Sequence, residues 1–80
     1  MAVIDTTGEH DTIGTLEISR VAISPDGQTR TFAGMRSGIG YVRTYHGDAG
    51  HGRATSTLKH GNAYAYVRSL PGSFDATGIA

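Results

Sequence analysis

Residues 24–28, Ser-Pro-Asp-Gly-Gln, carry a strong turn signal, and the stretch the chain is organised around is residues 53–70. In residues 24–28, proline presets the first corner of a type I turn, and glycine supplies the left-handed residue that follows. Between two runs of alternating residues, such a turn commits the runs to an antiparallel hairpin. The incoming run, residues 13–24 (IGTLEISRVAIS), places apolar side chains at Leu16 and Ile18, then at Val21 and Ile23. Parity changes from even to odd, so a strand with one buried face must slip near Ser19 and Arg20, and a β-bulge is predicted there. The return strand is predicted over residues 29–34 (TRTFAG). A third follows over residues 39–45 (IGYVRTY), after a break at 35–38.

Residues 53–70, RATSTLKHGNAYAYVRSL, read as a second hairpin turning on Gly61-Asn62, with glycine at the first corner of a type II′ turn. A helix over residues 53–60, capped by Gly61, is the weaker alternative, because two threonines and a serine in that run disfavour it. The turn fixes the register and therefore the faces. Ala54, Ser56, Leu58, His60, Ala63, Ala65, Val67 and Ser69 share a face of small side chains suited to a core. Arg53, Thr55, Thr57, Lys59, Tyr64, Tyr66, Arg68 and Leu70 share the other, an amphipathic outer face. The third strand repeats this pattern: Tyr41-Val42-Arg43-Thr44 aligns with Tyr66-Val67-Arg68-Ser69, and Gly47 with Gly72, at an offset of 25 residues. An internal duplication and shared strand propensity both account for the match.

The fold class predicted is all-β: a small barrel or sandwich of about five antiparallel strands in one domain, residues 1–80. Its core spans 13–70, with an extended N-terminal arm at 1–12 and a C-terminal tail at 71–80 (PGSFDATGIA). A chain of 80 residues buries only about 60% of its unfolded surface, so contacts with partners would add stability. Cysteine is absent, which removes disulfides, thiolate metal sites and cysteine nucleophiles. The apolar runs MAVI and 63–67 are too short to span a bilayer or to serve as a signal peptide, so a soluble protein with no membrane partner is expected. Whether it works in the cytoplasm or as part of a virion is not written in the residues. Net charge is zero, yet Asp5, Glu9, Asp11 and Glu17 form an acidic head without a base. Residues 18–70 carry Arg20, Arg30, Arg36, Arg43, Arg53, Lys59 and Arg68 against Asp26 and Asp48. These halves either neutralise one another within a subunit or complement neighbouring copies.

Catalytic and cofactor signatures are missing. His10, His46, His51 and His60 show no ligand spacing such as i, i+4 on a helix or i, i+2 on a strand, so neither a metal nor a cofactor is expected. Ser37 precedes Gly38 without a G-x-S-x-G elbow, and the glycine strings GIG and GDAGHG lack a following helix to hold phosphate. The chemistry that does stand out is tyrosine beside arginine: Tyr41, Arg43 and Tyr45 on the third strand, and Tyr64, Tyr66 and Arg68 in the second hairpin. Both residue types are enriched at interface hot spots. The composition therefore points to a non-enzymatic structural protein, a subunit of a homo-oligomer or larger assembly such as a virion, shell or filament, with the acidic arm on a neighbour's basic body. The alternative is a small β-barrel that stacks single-stranded bases on the tyrosines, although zero net charge disfavours phosphate binding. A small enzyme or metal-binding protein whose site forms between subunits is the second alternative.

Overall fold

The computed structural model describes residues 2–4, 14–47 and 56–76. Its elements in chain order are β1 (Ala2–Ile4), β2 (Leu16–Ile23), β3 (Thr29–Arg36), β4 (Ile39–His46), β5 (Ser56–Lys59), α1 (Ala63–Arg68) and β6 (Ser73–Asp75). The fold is all-β: an antiparallel sheet in the order β1-β2-β3-β4-β5, with β6 also paired to β2 and one short helix. The sheet is open and does not close into a barrel.

The β2–β3 hairpin forms where the Ser-Pro-Asp-Gly-Gln turn predicts it. Gly27 has φ +73°, its N–H donates to the Ser24 carbonyl at 2.8 Å, and the Ser24 N–H donates to the Thr29 carbonyl at 3.0 Å. Side chains close the turn as well. The Ser24 hydroxyl donates to Asp26 Oδ1 at 2.6 Å and accepts the Thr29 N–H at 3.0 Å, and Asp26 Oδ1 accepts the Gln28 N–H at 3.0 Å. The pairing of β2 with β3 slips between Ile18 and Arg20, so the phase change in the sequence is a bulge, as predicted. It brings Leu16, Ile18 and Val21 into one buried cluster with Phe32, Tyr41, Tyr45 and Ala76, against which Ile23 packs. Strands β3 and β4 are joined by Ser37 and Gly38, with φ of +53° and +77°, a two-residue connection whose twist matches the strands it joins.

Residues 53–70 correct the sequence reading. Ser56–Lys59 is a strand and pairs with β4, but Ala63–Arg68 is a helix and no hairpin forms. Gly61 does not take the positive φ that a type II′ turn requires. The alternation Ala-Tyr-Ala-Tyr-Val fits a strand, yet Ala63 and Val67 also stand four apart on one side of a helix, and those two are buried. What they bury against decides the matter. Ala22 and Ala33 form an apolar patch on the sheet face opposite the first cluster, with Val42 packed at its margin. A hairpin would have added a strand at the β5 edge and left that patch bare. The helix instead carries the chain from the β5 edge back over β2 and β3 to β6 on the far side of β2. A six-residue helix is not stable alone, so this packing holds it.

Other expectations change with it. Leu58, expected in the core, is 66% exposed, because it stands opposite Val42 on the edge strand β5, beyond the part of the sheet that α1 packs on. Tyr41–Thr44 lie in a strand and Tyr66–Ser69 in or at the end of a helix, so the repeat is not a structural one. From the arm, Ala2–Ile4 pair with Ile18, Glu17 and Leu16 of the same chain. From the tail, Ser73–Asp75 pair with Ala22, Val21 and Arg20, and Ala76 is buried. Asp5, Glu9, Asp11, Asp48, Arg53, His10 and His51 lie outside the described residues.

Candidate functional site

The six residues read from the sequence as one tyrosine and arginine face do not share a face. Tyr41, Arg43 and Tyr45 do lie side by side on β4, but they face the first core cluster and are buried. Residue type suggested exposure; position in the sheet overrides it, since β4 has β3 on one side and β5 on the other. Tyr45 meets Phe32 edge to face at a centroid distance of 5.6 Å, with the Arg30 guanidinium 5.6 Å from its ring centre. Arg43 is 0% exposed. Burial of a guanidinium requires hydrogen bonds, and Arg43 donates from Nε to the Thr57 hydroxyl at 2.8 Å and from Nη1 to the Gly14 carbonyl at 2.7 Å. It is a clamp between β4, β5 and the chain entering β2.

Tyr64, Tyr66 and Arg68 are exposed, on α1. With about 100° per residue, Tyr64 and Tyr66 stand on opposite flanks of the helix when Ala63 and Val67 point to the sheet. Each tyrosine has a polar neighbour that the sequence reading missed. The Arg20 guanidinium lies 5.9 Å from the Tyr64 ring centre, held by a 2.7 Å hydrogen bond from its Nε to the Ser73 hydroxyl. His60 stacks on Tyr66, with centroids 5.1 Å apart and an interplanar angle of 29°. His60 Nδ1 accepts the Asn62 N–H at 3.1 Å, so the neutral ring carries its proton on Nε2. Arg20 sits in the bulge and β6 is far off in sequence, so no local signal placed it beside Tyr64; His60 could be foreseen near Tyr66 only once the helix was recognised.

Exposed large side chains stand on both α1 and β5. Leu58 is 66% exposed on the edge strand β5, and Tyr64 and Tyr66 are each 44% exposed. Among the described residues no group of three His, Asp or Glu side chains could hold a metal ion, and no helix is long and apolar enough to cross a membrane. Compared with protein-family models, curated proteins and solved structures, the chain matches none.

Proposed function

We propose that this protein is a non-enzymatic contact module that assembles with other copies of itself through the α1 and β5 side of the sheet. One observation carries the reading: α1 spends its small residues inward and its large ones outward. Ala63 and Val67 are buried, while Tyr64 and Tyr66 remain 44% exposed. Folding of a single subunit would gain more from the reverse arrangement, since buried aromatic area is a main source of stability. Exposed tyrosines on α1 and an exposed leucine on β5 are the composition of a contact surface.

Base stacking is a weaker use of the same rings. His60 already covers one face of Tyr66 and Arg20 lies over Tyr64, and zero net charge supplies no general attraction for phosphate.

Sedimentation equilibrium across concentrations up to ~1 mM tests the proposal. A mass that rises with concentration, less so in Tyr64→Ala and Tyr66→Ala, is expected. A monomer throughout overturns it. Binding of a labelled oligothymidylate that weakens steeply with salt would transfer the surface to nucleic acid.

A further inference from the structure

We infer that β5 is the edge through which two copies join, antiparallel and about a two-fold axis that passes beside Leu58; the inference rests on the self-assembly reading and specifies its geometry.

The hydrogen-bond phase of β5 follows from one contact. The His60 N–H donates to the Gly40 carbonyl at 3.0 Å, and β5 runs antiparallel to β4 with Lys59 opposite Tyr41 and Leu58 opposite Val42. Peptide groups of alternate residues point to opposite sides of a strand. Those of His60, Leu58 and Ser56 therefore point to β4. Those of Lys59 and Thr57 point away, toward a side where, among the described residues, no strand pairs. Helix α1 packs on β2, β3 and β4, away from this edge among the described residues.

A second copy extending the sheet must match outward residues with outward residues, and three registers do so within Ser56–Lys59. Lys59 opposite Lys59 sets like charges against each other and is disfavoured. Thr57 opposite Thr57 forms one hydrogen-bonded pair within the strand. Thr57 opposite Lys59 forms two such pairs, related by the two-fold axis, with four backbone hydrogen bonds. In that register Leu58 faces Leu58 of the second copy at a non-hydrogen-bonded position, where Cα atoms approach to about 4.5 Å. The most exposed large apolar side chain of the described residues is then covered by its twin. Charge agrees as well: each Lys59 meets a threonine, and two copies of a chain with zero net charge do not repel. The contact is isologous, closes at two subunits and is of the small, weak class.

The chain contains no cysteine, so single-cysteine variants report the register directly. Under mild oxidation, Leu58→Cys is expected to couple to itself about tenfold faster than Lys59→Cys, because a non-hydrogen-bonded pair fits disulfide geometry. A mixture of Ser56→Cys and Leu58→Cys that couples faster than Leu58→Cys alone would put Thr57 opposite Thr57 and overturn the register. Lys59→Pro removes a donor from the open edge and leaves the β4 ladder intact, which far-UV circular dichroism would verify. It should weaken self-association about tenfold. If the chain associates, yet Leu58→Cys shows no preference and Lys59→Pro has no effect, the β5 contact is wrong while self-assembly stands. If the unaltered chain is monomeric to ~1 mM, both fall.

Discussion

The Nη1 group of Arg43 donates to the carbonyl oxygen of Gly14 at 2.7 Å, across 29 positions of sequence. Its Nε donates to Thr57 at 2.8 Å, so one buried side chain ties β5 and the entry to β2 onto the central strand β4. Lysine keeps the charge but not the fork that reaches both acceptors. Arg43→Lys should therefore cost about 2–3 kcal/mol in urea unfolding. Arg68→Ala, at an exposed position, should cost less than ~0.5 kcal/mol. Equal losses would contradict the clamp.

Helix α1 predicts an inverted pattern of mutational cost. Val67→Ala opens a hole between helix and sheet and should cost about 1–2.5 kcal/mol. Tyr66→Ala removes a much larger but half-exposed side chain and its stacking on His60, and should cost under ~1 kcal/mol. Chemical denaturation of the two variants at a concentration where the protein is monomeric checks this. A greater loss from Tyr66→Ala would mean that the tyrosine packs inward.

The β2–β3 turn predicts a pH response at Asp26. The Ser24 hydroxyl, then the Gln28 N–H, hold its carboxyl below the ordinary value of 3.8. A folded-state pKa below the unfolded one stabilises the fold above the unfolded value and loses that contribution as pH falls through the folded one. Carboxyl chemical shifts should accordingly give an Asp26 midpoint below 3.8, and Ser24→Ala should raise it. An unchanged midpoint in Ser24→Ala would remove the hydroxyl as the main cause.

Gly72 holds the last strand in place. Its φ is +75°, its carbonyl accepts the Ile23 N–H at 3.2 Å, and a Cβ there would lie 2.1 Å from the Ile23 carbonyl oxygen. Gly72→Ala combines a left-handed backbone with a clash and should destabilise by about 2 kcal/mol or more. Amide exchange should show the loss first at Ser73–Asp75, the strand that β2 holds in register. Gly27→Ala, where nothing lies within 4 Å of the added carbon, should cost less, about 1 kcal/mol, from backbone strain alone.

The sequence by itself determined the meander of β2, β3 and β4, because its signals are local. Pro25, Asp26 and Gly27 dictate a turn whatever surrounds them, and the parity change from Ile18 to Val21 requires a bulge in any sheet with one buried face. Tertiary structure decided what those signals leave open. Ala63–Arg68 carries a pattern that fits a strand or a short helix, and the uncovered patch of Ala22 and Ala33 selected the helix. Tyr41, Arg43 and Tyr45 have the composition of a surface, and two neighbouring strands with a core cluster made them interior. Leu58 has the composition of a core, and its place on the edge strand left it outside. Burial is a property of where a strand sits in the sheet, set by pairings between residues far apart in the chain, and no local pattern encodes it.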